Sequence, residues 1–314
     1  MKRVLLVTTN SELPIHRYFE NALDKALVQS TTRAGTVTNS EGIRNSIESG
    51  HIDLLHFTSP IAARLIPVGC SLPTIVSVQE WPIDGNLRRI LDDLALADLV
   101  SCGTPIIANE LRKKIKGPEF SIHRQGIDND LFNPNSNLYS RDYLIDFDDE
   151  KKMMVAIGTM GIPEILTESI ESLPSEISNN LNFIRLDDSR LLPEQKMAIL
   201  QHAEIMLFAD ASRFHRQVVL HACASGCPVR VINPEPALDV LDAEYILSAE
   251  DPREWADAIT KAHEKWRRAG GVPRHPDELL IERMEKHMGP NQCGINIDNQ
   301  YTEAQIAHKM KTEN

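Results

Sequence analysis

The chain has 314 residues, of which 42% are hydrophobic and 25% charged. This composition is typical of a globular protein and excludes a disordered chain, a collagen-like chain and a small disulfide-stapled scaffold. The length suggests two domains or one large domain. Lys and Arg number 33 against 45 Asp and Glu, a formal net charge of −12, and such a surface disfavours nucleic acid as a partner.

The N-terminus and the cysteines bear on the compartment. The apolar run Val4–Val7 is too short for a signal peptide, and the chain has no stretch of about 18 apolar residues that could span a membrane. The five scattered cysteines do not form a disulfide pattern. Cys223 and Cys227 could be two metal ligands on one helix face, but no second pair follows at zinc spacing. We therefore expect a cytoplasmic protein with reduced thiols.

Short apolar strands alternate with helices through the first part of the chain, which predicts a parallel sheet covered on both faces by helices. The predicted strands are Val4–Thr8, Val37–Thr38, Leu54–Phe57, Thr74–Val78, Leu99–Cys102 and Phe120–His123. The predicted helices are Leu13–Val28, Glu41–Ile47, Pro60–Leu65, Leu87–Leu96 and Pro105–Ile115.

A segment rich in Asn, Asp and Ser, residues 133–149, has the composition of a linker. A second α/β alternation follows it. Its predicted strands are Met153–Ile157, Asn182–Leu186, Ile205–Phe208, Val229–Ile232 and Tyr245–Leu247. Its predicted helices are Pro163–Ser172, Pro193–Gln201, Gln217–Ala224, Ala237–Leu241 and Pro252–Arg268.

The tail predicts a helix after Pro276, a Gly- and Asn-rich break over Gly289–Asn299, and a final helix that starts at Thr302 and ends near Lys311. The predicted domains are therefore residues 1–138, a linker over 139–150, residues 151–275 and a helical tail over 276–314. Paired α/β domains commonly bind ligands in a cleft between them, at the carboxyl ends of the strands.

Three segments carry motifs. Residues 123–134 read HRQGIDNDLFNP, and residues 97–105 read ADLVSCGTP. The third segment runs from Leu192 to Val231 and contains HAEIMLFADASRFHRQVVLHACASGCPVRV. The three segments resemble, in order and spacing, the N-G-V-D-x-x-x-F-x-P segment, the A-D-x-V-x-x-x-S segment and the E-A-x-A-x-G-x-P-V block of family 4 glycosyltransferases. The resemblance implies the α/β GT-B fold, two doubly wound Rossmann-like domains with a cleft and a C-terminal helical tail that crosses back to the first domain.

The same resemblance implies an activity. It is the transfer of a sugar from a nucleotide-sugar donor on the C-terminal domain to an acceptor hydroxyl on the N-terminal domain, with retention of configuration. The nucleotide-sugar is a substrate, so no cofactor is expected. No divalent metal is expected either, because no Asp-x-Asp motif stands in a donor loop. The acceptor and the oligomeric state are not indicated.

The chain departs from the family at its donor site, and it is therefore identified as a divergent member. The family's two glutamates, eight residues apart, correspond to Arg213 and His221 here. The turn glycines between them are missing. No Arg/Lys pair follows the strand that ends at Ile157, and Gln79 and Glu80 stand where the family has a His after its V-T-V-H strand.

The resemblance nevertheless indicates candidate donor-binding residues. Arg213 and Arg216 could supply the positive charge that a diphosphate needs, although a solvated basic turn is the alternative. Gly158 could let the diphosphate approach the backbone, or could form an ordinary strand–helix turn. His221 could contact the ribose or could be a core residue.

Candidate catalytic and acceptor-side residues follow other strands. Glu80 could orient an acceptor hydroxyl or act as an acid–base group, or cap a turn. Asp210 is the nearest carboxylate that could replace a lost glutamate. His56 ends a strand, where its role in the family is more often structural, and Gln79 stands beside it in the predicted site.

Two further hypotheses stay open. The basic run Arg112–Lys116 could dock the protein peripherally on a membrane, although a solvated helix end is the simpler interpretation. The missing donor residues favour an alternative function, a catalytically inactive glycosyltransferase-like binding or scaffold protein. Transfer to nucleic acid is a third hypothesis, and the negative charge argues against it.

Overall fold

The computed structural model describes residues 2–9, 14–79, 87–123, 126–132, 144, 152–159, 161–187, 190–209, 217–232, 241–271 and 276–313. The chain folds into two compact units. The N-terminal unit consists of residues 1–128 together with 288–314, and the C-terminal unit consists of residues 129–287.

The N-terminal unit is built on a six-stranded parallel sheet of order β2-β1-β3-β4-β5-β6. Its strands are β1 (Arg3–Val7), β2 (Arg33–Val37), β3 (Leu54–Phe57), β4 (Thr74–Val78), β5 (Leu99–Cys102) and β6 (Glu119–Ile122). Its helices are α1 (Pro14–Gln29), α2 (Ser40–Glu48), α3 (Leu87–Leu94), α4 (Pro105–Lys114) and α12 (Pro290–Thr312), with a 3-10 turn over Ala62–Leu65.

Each face of this sheet is covered by its own set of helices. One apolar cluster joins the strands to α2, α3 and α4, and a second joins them to α1 and α12. Local signals place the helices: Thr104 caps α4 by accepting a hydrogen bond from the Ile107 N–H, and Pro105 stands in the first turn.

The C-terminal unit contains a five-stranded parallel sheet of order β8-β7-β9-β10-β11. Its strands are β7 (Met153–Ile157), β8 (Leu181–Arg185), β9 (Ile205–Phe208), β10 (Val229–Ile232) and β11 (Ile246–Leu247). Its helices are α5 (Asn129–Phe132), α6 (Glu164–Glu171), α7 (Ser175–Ser178), α8 (Pro193–His202), α9 (Gln217–Ala224), α10 (Pro252–Arg268) and α11 (Glu278–Met288). This strand order repeats that of the first five strands of the N-terminal sheet, so both units are doubly wound.

The predicted break in the tail is wrong. Residues 290–312 form one continuous helix, and Thr302 lies inside it rather than at a helix start. Pro290 begins this helix, and Gly294 packs so closely on α1 that a Cβ atom there would lie 2.8 Å from the Ala26 carbonyl oxygen. Packing against α1 and the sheet therefore outweighs the low helix propensity of Gly and Asn.

Other differences from the predicted elements are local. The edge strand β2 covers Arg33–Val37, four residues earlier than predicted, because its exposed residues give no apolar signal. The short helices α5 and α7 were not predicted. The predicted helix Ala237–Leu241 lies almost wholly outside the described residues.

Candidate functional site

A row of polar side chains crosses the N-terminal sheet on the face that α12 covers. Ser77, Ser101 and Ser121 are direct register partners on β4, β5 and β6. His56 on β3 lies on the same face, because it is in register with Ile75, two residues before Ser77. Toward the other end of the strands the same face is apolar and belongs to the α1–α12 cluster. The face therefore changes from apolar to polar toward the carboxyl ends of the strands.

His56 lies at the β3 end of this row. It is 1% exposed. Its Nδ1 atom lies 3.0 Å from the Tyr301 hydroxyl on α12, and its Nε2 atom lies 2.8 Å from the Ser77 hydroxyl. Burial, with a smaller contribution from the charge of His123, lowers the pKa of His56 to about 3. The imidazole is therefore neutral near pH 7 and holds α12 on the sheet, which is a structural role.

Gln79 continues this face beyond the end of β4. Its side chain is partly exposed, and Gly103 and His123 hold the corresponding positions after β5 and β6. Gly103 makes room for the amide, since a Cβ atom there would lie 2.8 Å from Gln79 Oε1. The structure thus brings His56 and Gln79 to one polar region. Glu80 lies outside the described residues.

Gly158 follows β7 at the carboxyl edge of the C-terminal sheet. A Cβ atom there would come within 3.2–3.3 Å of the side chains of Met206, Phe208 and Val218. Packing therefore favours a glycine at this position, since a larger residue would press on these three side chains. Further along the same loop, Gly161 has a φ of 75°, a value that favours glycine.

An Arg–Asp pair, which the motifs did not indicate, holds this loop. The Gly161 N–H donates to Asp187 Oδ2 at 2.9 Å, and Arg185 donates to the same carboxylate at 2.8 and 2.9 Å. The Arg185 hydrogen bond is the main reason why the pKa of Asp187 is lowered. The available signal was charge at the carboxyl end of the apolar strand β8, where ligands bind in parallel sheets.

His221 lies in the buried part of α9. It is 7% exposed, and its ring stacks on that of Phe132 with centroids 4.2 Å apart and planes 14° apart. Burial lowers its pKa to about 3. The ring is therefore packed in the core of this unit, and a ribose contact by His221 stays a prediction. Asp210, Arg213 and Arg216, the other candidates near α9, lie outside the described residues.

The alternatives for metal and membrane binding concern other surfaces. Within the described ranges, His, Cys, Asp and Glu side chains form no cluster of three that could hold a metal, and no helix there is long and apolar enough to cross a bilayer. In the basic end of α4, Lys113 pairs with Glu110 at 2.6 Å, and the Arg112 guanidinium lies 5.4 Å from the Phe120 ring centroid. Part of this charge therefore serves local contacts.

Two parallel α/β units of the same strand order define a class of fold, and the comparisons agree with it. The sequence matches no protein-family model and no curated protein. Solved structures, however, match nearly the whole chain. HepE from Anabaena in complex with UDP-glucose is 11% identical with a TM-score of 0.63, over 96% of this chain and 100% of that one.

Two further structures give the same result. Sucrose-phosphate synthase from Thermosynechococcus elongatus is 10% identical with a TM-score of 0.63, over 98% of this chain and 100% of that one. The UDP-forming α,α-trehalose-phosphate synthase from Burkholderia vietnamiensis is 10% identical with a TM-score of 0.59, over 99% and 100%. These neighbours are GT-B glycosyltransferases. The chain therefore has the GT-B fold, and the predicted fold class is confirmed.

Proposed function

We propose that the chain transfers a sugar from a nucleotide-sugar donor to an acceptor hydroxyl, with retention of configuration and without a metal ion. The observation that carries this proposal is the match of almost the whole chain to GT-B glycosyltransferases, one of them holding UDP-glucose. The three motif segments support a divergent place in family 4. The proposal assigns the donor to the C-terminal domain and the acceptor to the N-terminal domain, in a cytoplasmic protein.

The proposed reaction breaks the bond between the anomeric carbon and the donor diphosphate, whose oxygen keeps the electron pair. The acceptor oxygen bonds to that carbon, and its proton passes to a carboxylate, for which Glu80 and Asp210 are the candidates. The developing diphosphate charge needs cations. Arg213 and Arg216 are assigned that role, and Arg185 stands beside the Gly158–Gly161 loop as a further cation.

A second candidate function is a non-catalytic binding protein. The observation that favours it is the Asp187 carboxylate on the Gly161 N–H. An N–H that already binds the protein's own anion is not available to a phosphate oxygen, and the carboxylate repels one. A donor that binds at this loop has to displace Asp187 or to be held mainly by the arginines.

Calorimetric titration tests the proposal. The protein is titrated with UDP, GDP, ADP and their common sugars in the presence of EDTA. We expect one nucleotide to bind, and Arg213→Ala to weaken it about ten- to a hundredfold, the value of a charge-assisted hydrogen bond. Arg33→Ala, on the exposed edge strand β2, is the control and leaves binding unchanged. NMR of the sugar product then reports the anomeric configuration.

The outcomes separate the two functions. Absence of binding to every nucleotide in a folded sample contradicts the transferase and the donor assignment together. Nucleotide binding without transfer to any acceptor, and without slow hydrolysis of the donor, supports the binding protein. The proposed peripheral membrane contact is tested separately, by sedimentation with anionic vesicles of wild type and of Lys114→Ala, which should reduce binding if α4 faces the lipid.

A further inference from the structure

The polar row under α12 encloses a small cavity in the N-terminal unit. Its floor is formed by Ser77 and Ser101 on the sheet, its roof by Gln300 and Ile297 on α12, and its mouth by Gln79 and His123 beyond the strand ends. The cavity measures about 20 Å³. A water-sized oxygen needs roughly 10–15 Å³ by the same measure, so the space admits one such oxygen and excludes a whole sugar ring.

Three residues that line this cavity each carry a buried polar atom with no hydrogen-bond partner among the described residues. The atoms are Gln79 Oε1, Ser101 Oγ and Gln300 Nε2. Ser101 is 1% exposed and Gln300 is 3% exposed, so bulk water does not solvate either side chain. Buried polar groups in folded proteins are satisfied in nearly every case, and leaving these three unpaired would destabilise the fold.

The three atoms also define the chemistry of what they bind. Gln300 Nε2 donates, Gln79 Oε1 accepts, and the Ser101 hydroxyl can do either. An anion would need donors only and a metal cation would need acceptors only. The mixed set is complementary to a hydroxyl oxygen, which accepts from one group while it donates to another. The nearby His56 is neutral, so no charge at the cavity floor selects an ion.

We propose that this cavity is a binding site for one uncharged hydroxyl oxygen, which hydrogen-bonds Ser101, Gln79 and Gln300 and so couples α12 to the sheet. Water provides this oxygen in the ligand-free protein. A sugar hydroxyl has the same chemistry and could enter from the mouth at Gln79 and His123. The site does not depend on transferase activity, since the unpaired atoms are a property of the N-terminal unit itself.

Crystals of the full chain, grown without ligand and soaked in glucose, distinguish the two sources. Density for one isolated oxygen within hydrogen-bond distance of Ser101 and Gln300 in both crystals supports an internal water. Its replacement by a hydroxyl of a bound glucose supports a ligand subsite. A cavity without density in both crystals, at a resolution where other buried waters are visible, overturns the proposal.

The chain offers a matched pair of variants for a solution test. Ser101 and Ser121 are neighbours in the same row, and both hydroxyl oxygens are buried without a partner among the described residues, but only Ser101 lines the cavity. Ser101→Ala should lower Tm by about 2–4 °C, the shift for one lost hydrogen bond in a protein of this size. Ser121→Ala should leave Tm unchanged or raise it. Equal effects of the two substitutions contradict the proposal, because they mean that Ser101 hydrogen-bonds nothing in the cavity.

Discussion

The two sheets have the same strand order and differ in what their strands carry. In the C-terminal unit, β7 and β9 are apolar and buried along their whole length. By strand order β7 and β9 correspond to β1 and β3, and β3 carries the buried His56, while the next strands β4 and β5 carry the buried Ser77 and Ser101. The polar groups described near the carboxyl edge of the C-terminal sheet instead follow the strands, at Gly158 and Asp187. The same strand order therefore occurs with polar side chains inside the sheet, as in the N-terminal unit, and with polar groups at its rim after the strands end, as in the C-terminal unit. Strand order alone does not predict where the polar groups lie.

The largest expected effect is in the apolar C-terminal unit, at the turn after α9. Gly226 has a φ of 62°, and a Cβ atom there would lie 2.9 Å from Asp277 N and from Pro276 Cβ. We expect Gly226→Ala to reduce the free energy of unfolding by about 3 kcal/mol, since it combines left-handed strain with overpacking. Urea unfolding measures this loss.

A glycine of the N-terminal unit provides the matched control. Gly50 has a φ of 64°, and a Cβ atom there would have no neighbouring atom within 4 Å. Gly50→Ala should therefore cost only the backbone strain, about 1–2 kcal/mol. Equal losses at the two glycines would mean that packing of Gly226 against the segment before α11 contributes nothing.

Removal of the His56 imidazole tests the polar row of the N-terminal unit. His56→Leu leaves the buried Tyr301 and Ser77 hydroxyls without their ring partner. The expected loss is about 2–3 kcal/mol, the cost of buried groups left unpaired. His51→Leu at an exposed position of the same unit is the control, with a change below about 0.5 kcal/mol. A His56→Leu variant as stable as wild type would contradict the bridging role.

Acid should destabilise both units through their buried histidines. His56 and His221 have folded pKa values of about 3, below the unfolded value of about 6.5. As the pH falls from 6.5, the unfolded chain binds a proton at each site and the folded chain does not, so stability falls. The expected loss at pH 5 is roughly 2 kcal/mol for each histidine relative to pH 7.5.

The measurement is urea unfolding between pH 7.5 and pH 4.5. His56→Gln keeps a donor and an acceptor but cannot titrate, so it should reduce the slope of stability against pH by about one proton, or roughly 1.4 kcal/mol per pH unit. A variant slope equal to the wild-type slope would show that His56 titrates normally in the folded protein.

The smallest expected effect is at the polar rim of the C-terminal unit. It is measured by comparing substitutions in two Arg–Asp pairs, one in each unit. Asp187 pairs with Arg185 at the carboxyl edge, and Asp53 pairs with Arg3 before β3 in the other unit. Asp187→Asn should strengthen binding of the proposed nucleotide about fivefold. The substitution removes the repulsion between the carboxylate and the nucleotide phosphates, which is worth roughly 1 kcal/mol. Asp53→Asn should leave affinity unchanged. Weaker binding in Asp187→Asn would mean that the carboxylate orients the loop for the donor.

The predictions from sequence were most accurate where burial is uniform. The predicted bounds are exact for six strands, β3, β4, β5, β7, β9 and β10, and for the helices α9 and α10. A strand buried on both faces and an amphipathic helix each leave a clear apolar pattern in the sequence. The edge strand β2 was misplaced because its exposed residues leave no such pattern. Of the candidate site, the motifs indicated His56, Gln79 and Gly158 but not the Arg185–Asp187 pair, for which charge at the end of a strand was the only local signal.

The sequence by itself determined the two α/β alternations, since these depend on local periodicity, and its three motifs carried the family resemblance that implied the GT-B fold. Only the tertiary structure decided that α12 is one helix, that its Tyr301 and Gln300 lie over the polar row of the N-terminal sheet, and that His221 stacks on Phe132. These facts depend on side chains that meet across as many as 245 residues of chain. Residues that distant are brought together by packing, for which no local pattern exists in the sequence.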